Sequence, residues 1–225
     1  MADDVRERHR KLFGLGDNTE RVVFFSDAVF AIAMTLLVLD IRLPEVADES
    51  NILPELLALW PQYFAYVLSF LIIALNWFGH HRKFRVIERF DARLLWINML
   101  LLLLIAFVPF PTSLLSDFDP QSSTVVLYAA TVGSISLVQA WLWIHAYRAG
   151  LMSAEVDDEM NRYVRRGLWP VGAVFFASIP IALVAPVWAM YFWVLMWPLS
   201  QILDRVGVSR RAPRRNPDSA SAEEH

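Results

Sequence analysis

The sequence predicts an all-α membrane protein with six transmembrane helices per chain. Three observations carry that prediction. Of the 225 residues, 56% are hydrophobic and only 19% charged, whereas a soluble domain has about 45–50% and about 25%. The apolar residues gather in runs near the ~20 residues that cross ~30 Å of hydrocarbon. The cations are sorted between alternate loops, which membrane insertion produces and soluble folding does not. Together these exclude a soluble globular domain and a disordered chain. Cysteine is absent, so a disulfide framework and a thiolate metal site are excluded as well.

The first run is Val22–Ile41. The second is Leu56–Phe78, with Trp60, Tyr63 and Tyr66 near its start as interfacial aromatics. The third, Leu94–Leu115, contains Phe107-Val108-Pro109-Phe110-Pro111 near its end. The fourth is Thr124–Tyr147, the fifth Gly167–Val184 and the sixth Pro186–Leu203. The last two are joined by almost nothing and read as a tight hairpin.

Loop charge sets the orientation. The segment up to Arg21, the second-to-third loop, the fourth-to-fifth loop and the C-terminal tail hold nineteen of the twenty Lys and Arg residues. Only Arg42 lies in the other set, which carries Glu45, Asp48, Glu49, Asp117 and Asp119. The positive-inside rule then puts both termini in the cytoplasm of a multi-pass protein of the cell membrane. The expected organisation is a cytoplasmic N-terminal segment (1–20), a six-helix membrane domain (21–204) and a cytoplasmic, disordered tail (205–225). The first 20 residues are polar and no small-residue cleavage site follows the first run, so no cleavable signal peptide is expected.

Ionisable and polar side chains inside a span are costly, which makes each a candidate. Ser26 and Asp27 lie in the first span, His80 and His81 close the second, Asn98 opens the third, and Gln139 and His145 lie in the fourth. In the predicted topology all fall in the cytoplasmic half, where they can satisfy one another. A projection of the first span, at about 100° per residue from Ile32, puts Leu36 near +40°, Leu39 near −20° and Thr35 near −60°. That is one apolar stripe with a single hydroxyl. Asp27 falls near −140° and Ser26 near +120° by the same step of about 100°, away from the stripe. Arg21 projects near −20° on about the same step, onto the stripe, and must either bend to an acidic partner or begin the helix irregularly.

The segment Arg21-Val22-Val23-Phe24-Phe25-Ser26-Asp27, continuing to Leu39, resembles the first-helix signature of the transmembrane protein 175 family. These are potassium channels named for an endosomal and lysosomal member. Asn76-Trp77-Phe78-Gly79-His80-His81-Arg82-Lys83-Phe84 resembles the family's Trp/His-His segment ending the second helix. Phe107-Val108-Pro109-Phe110-Pro111-Thr112 resembles its third-helix end. The resemblance implies a potassium-selective channel without a carbonyl-lined filter. With one set of six spans, the chain is similar to the bacterial members. That implies a homotetramer whose four first helices line the pore. It also implies that Ile32 is the constriction, Thr35 a selectivity layer, and Leu36 and Leu39 further apolar layers. Arg21, Ser26 and Asp27 match the family's signature polar residues, and Trp77, His80, His81 and Asn98 are expected to join them in a structural network. No cofactor or metal is expected; K⁺ is the permeant ion, and the partners are further copies of the chain and the lipid bilayer.

The competing reading is a proton-coupled transporter or proton-permeable pore using Asp27, His80, His81 and His145. An intramembrane enzyme is disfavoured, because His80-His81 lies in no H-E-x-x-H and there is no G-x-S-x-G. The arginine-rich tail is explained by topology, so no nucleic-acid partner is expected.

Overall fold

The computed structural model describes residues 19–42, 52–117 and 121–193. Seven α-helices run through them: α1 (Thr19–Leu36), α2 (Ile52–Ala58), α3 (Trp60–Phe84), α4 (Ala92–Phe107), α5 (Pro109–Asp117), α6 (Ser122–Arg148) and α7 (Asp158–Val184). An eighth, α8, is helical over 186–193 where its description ends. Five helical stretches among the described residues are long and apolar enough to cross a membrane. The rest of the sixth expected span, the N-terminal segment to residue 18 and the tail lie outside the described residues.

Several boundaries differ from the hydropathy reading, each for a local reason. The first span ends in a tighter 3-10 turn, Leu37–Asp40. The second was expected at Leu56–Phe78; instead the chain breaks at Leu59 and α3 runs from Trp60 to Phe84, with Pro61 in its first turn. Proline favours that position because its missing N–H has no partner there anyway. Hydropathy misses the last turn of α3 because it is basic. The third span divides at Val108, where Pro109 cannot continue the helical ladder and starts α5. The fifth span begins nine residues earlier than Gly167, at Asp158. Asp157 caps it by accepting from the Met160 N–H at 2.7 Å. Ala185 alone separates α7 from α8, and Trp193 Nε1 folds back to donate to Ser178 Oγ at 2.8 Å.

Two apolar cores hold the bundle. One gathers Phe30, Ala33 and Leu37 of the first span with Ile73, Ile97, Leu101, Ile105, Ile135 and Leu142. The other gathers Ala65, Leu115, Tyr128, Val132, Phe175 and Trp193. Helices α6 and α7 make the most extensive contact. Their approach depends on two glycines. A Cβ on Gly133 would lie 2.8 Å from the Phe176 ring, and one on Gly172 would lie 3.1 Å from Ser136 Cβ.

The loops after α3 and after α6 interlock. The Ser153 N–H donates to the Val86 carbonyl at 2.8 Å, the Glu88 N–H donates to Leu151 at 3.0 Å, and the Arg89 guanidinium donates to the Gly150 carbonyl at 2.7 Å. Gly150 takes φ +63° to make this turn, a conformation that costs other residues about 1–2 kcal/mol. The two cation-rich loops therefore share one end of the bundle. Many of the cations assigned to these loops from hydropathy lie on the adjoining helix ends instead: Arg82 and Lys83 on α3, Arg93 on α4, Arg148 on α6, and Arg162, Arg165 and Arg166 on α7; of these Lys83 is buried.

Candidate functional site

Helix α1 presents two chemically different faces. Toward the bundle it buries Ser26, Phe30, Ala33 and Leu37. Away from it lie Ile32, Leu36 and Leu39, which are 58%, 42% and 65% exposed, with Thr35 exposed beside them. The 3-10 turn carries the stripe on to Leu39, three residues after Leu36 and still exposed. The Thr35 hydroxyl donates to the Ile32 carbonyl at 2.9 Å. Its proton is thus committed to the helix, which leaves the oxygen of this exposed side chain as an acceptor.

Behind the stripe, polar groups tie α1 to α3 and α4. His80 Nε2–H donates to Asn98 Oδ1 at 3.0 Å, Asn98 Nδ2–H donates to Ser26 Oγ at 3.0 Å, and Ser26 Oγ–H donates to the Val22 carbonyl at 2.8 Å. This is a directional chain across three helices, and Ser26, His80 and Asn98 are all fully buried. Chains of this kind polarise one another and are strong where water is excluded. The donor role of Nε2 leaves Nδ1 of His80 as an acceptor, buried and without a partner among the described residues. Apolar rings surround it: Phe84 stacks on His80 at 4.0 Å and Phe30 lies at 5.4 Å. Beside the chain, Trp77 Nε1–H donates to Asp27 Oδ1 at 2.8 Å.

The expected polar residues therefore do not all meet. Ser26, His80 and Asn98 form one chain, and Asp27 and Trp77 a second pair. His81 is exposed and touches the cluster only through its ring, 5.7 Å from that of Trp77. Of the two histidines, it is His80 that enters the network. Arg21 is exposed at the start of α1 and joins none of these bonds.

Other polar contacts were not foreseen. Lys83 Nζ donates to Gln139 Oε1, and Gln139 Nε2 donates to the Asn76 carbonyl at 3.2 Å, tying α3 to α6. The clue was spacing: Lys83 stands three residues after His80 and so shares its inward face. His145 Nε2 donates to Asp91 Oδ2 at 2.9 Å, while Asp91 Oδ1 caps α4 by accepting from the Leu94 N–H at 2.6 Å. At the other end, Ser69 Oγ lies 2.9 Å from the hydroxyls of both Tyr128 and Thr112. Among the described residues no three His, Cys, Asp or Glu side chains are grouped to hold a metal ion.

Residues 21–109 match the family described as "Endosomal/lysosomal potassium channel TMEM175". The chain is 37% identical over 177 residues to a potassium channel of Streptomyces collinus, an alignment spanning 73% of this chain and 86% of the relative. It is 27% identical over 207 residues to a zebrafish protein named as an endosomal/lysosomal proton channel, covering 90% of this chain but 38% of that protein. Among solved structures it resembles a lysosomal potassium-selective channel TMEM175 homolog from Chamaesiphon minutus. The TM-score is 0.71 at 30% identity, over 82% of this chain and 96% of that one.

Proposed function

The chain belongs to the endosomal/lysosomal potassium channel TMEM175 family, and from that premise we propose that it is a K⁺ channel built as a homotetramer around four α1 helices. It is a multi-pass membrane protein and not an enzyme, as its relatives are channels. The observation that carries the proposal is the two-faced α1. A greasy stripe of Ile32, Leu36 and Leu39 is left open by the subunit, while the opposite face is anchored by a buried hydrogen-bond chain. The buried chain fixes which face of α1 turns to the bundle and so holds the apolar stripe outward, where further copies can meet it.

In this reading Ile32 forms the constriction. An apolar ring bars ions by dewetting when narrow. When it widens, an ion passes after shedding part of its hydration shell, which costs K⁺ less than Na⁺. Thr35, one turn on, offers oxygen lone pairs in place of the lost water, since its proton is held by the Ile32 carbonyl. Leu36 and Leu39 extend the apolar path. Selection then needs no carbonyl filter and no fixed charge. Both termini are cytoplasmic in the cell membrane. The positive-inside rule supports this, and so does the shared end of the two cation-rich loops.

The test is Ile32→Asn in planar bilayers with K⁺ on one side and Na⁺ on the other. A polar neck stays wet, so the expected outcome is a leak whose reversal potential moves toward zero. A reversal potential equal to that of the unmodified channel overturns the neck. Proton permeation is the second reading, favoured by the name of the zebrafish relative. His80 and Asp27 sit behind the stripe, bonded to Asn98 and Trp77. Protons would therefore travel on water in the widened neck. A His80→Gln channel that folds but has lost proton flux would instead favour a histidine relay.

A further inference from the structure

Helix α7 is longer than the membrane. Its 27 residues span about 40 Å at ~1.5 Å per residue, against ~30 Å of hydrocarbon. The apolar part from Gly167 to Val184 accounts for the hydrocarbon. The turns before it, carrying Arg162, Arg165 and Arg166, therefore lie in the headgroup layer at the end where the interlocked loops sit. All three arginines are exposed, and so is Trp169, at 49%. Spacings of three, four and seven residues put these four side chains on one flank of the helix. The inward stripe of α7 is a different one, made of Asn161, Gly172, Phe175 and Ala182. Neither Arg165 nor Arg166 forms an ion pair among the described residues.

The neighbouring helix adds a second aromatic at the same depth. Trp143 Nε1 donates to Asn161 at 3.0 Å, and Ser136 lies against Gly172, so the antiparallel α6–α7 pair is in fixed register. That register sets exposed Trp141 of α6 level with the Val164–Arg166 turn. A cluster of guanidinium groups with one indole ring at its own depth and another a turn deeper matches a phosphodiester at the membrane boundary. Arginine forks fit two phosphate oxygens at once, and indoles prefer that layer. The acidic first turn, Asp158 and Glu159, lies beyond it toward water.

We propose that Arg162, Arg165 and Arg166, with Trp169, form a headgroup site for anionic phospholipid of the inner leaflet. The site sits on α7, away from the stripe of α1. Its occupant is a lipid rather than a soluble anion, because the arginines sit where a bilayer phosphate would be and the tryptophan continues into the acyl layer.

The test uses the purified full chain in its native oligomeric state. Phosphatidylglycerol or phosphatidylcholine is titrated in, and bound lipid is counted by native mass spectrometry. The expected result is preferential binding of phosphatidylglycerol, weakened about fivefold per arginine changed to Gln and about a hundredfold for R162Q/R165Q/R166Q. Inorganic phosphate at equal charge should not compete. If the triple variant does not assemble, the single R165Q variant and the triple Lys variant carry the test: the first should lose about fivefold, the second should retain the charge but lose the bidentate fork. The comparison R85Q removes an exposed cation elsewhere at the same end. Equal loss from R85Q and R165Q, unchanged lipid preference in R165Q, or competition by inorganic phosphate overturns the proposal.

Discussion

The chain from His80 through Asn98 to Ser26 makes a quantitative prediction about what holds α1. In Ser26→Ala, Asn98 Nδ2 loses its acceptor at a site with no exposure. Leaving a buried donor unpaired costs about 1–3 kcal/mol in soluble proteins. Hydrogen bonds between membrane helices measure less, about 0.6 kcal/mol on average and about 1.7 at most, because the unfolded helices also find partners. Asn98→Ala removes two bonds, to Ser26 and to His80, and should cost more than Ser26→Ala. The pair is best read as a double-mutant cycle on the full chain, unfolded by denaturing detergent and followed by helicity. The expected coupling is about 0.6–1.7 kcal/mol. Ser69→Ala lies in the separate hydroxyl trio and serves as a control, adding to Asn98→Ala within about 0.3–0.5 kcal/mol. Coupling between Ser26 and Asn98 no larger than that control would mean that the chain does not fasten α1 to α4.

Three further outcomes follow from contacts in the bundle. Trp77→Phe removes the donor to Asp27 while keeping a ring, and should destabilise the assembled channel by about 1 kcal/mol with K⁺/Na⁺ discrimination unchanged. Asp27→Ala should likewise weaken assembly, and a normal oligomer that has lost only permeation would refute a fastening role. Gly133→Ala gains about 1 kcal/mol of helix propensity but drives a methyl against Phe176. Overpacking costs about 1–3 kcal/mol, so the unfolding midpoint should fall, and Phe176→Leu in the same chain should recover it. A rise in stability from Gly133→Ala alone would mean that Gly133 and the Phe176 ring are not in close contact.

Most of the architecture was legible because the membrane imposes a simple physical rule. A span must be apolar for its whole crossing, so the runs announced the rough place of the five spans seen among the described residues. Cation sorting announced which loops share a side, and the interlocked Val86–Ser153 and Glu88–Leu151 contacts agree. The stripe was legible too, since 100° steps from Ile32 need no neighbours to compute. Helix ends were less so. Hydropathy is blind to turns that extend past the hydrocarbon, such as Arg82–Phe84, closed by the Arg85 N–H on the His81 carbonyl, and Asp158–Arg166, which the Asp157 cap begins.

Partner choice among polar side chains was decided by the fold alone. Sequence offered His80 and His81 as equals; rotation of α3 about its axis buries one against Asn98 and leaves the other beside Trp77. It offered Lys83 as one more loop cation; the extra turn of α3 carries it inward to Gln139. Composition and period describe each helix by itself, and they suffice for crossing a membrane and for owning an apolar stripe. A hydrogen bond needs two atoms within about 3 Å, and that depends on how far each helix is turned toward its neighbours.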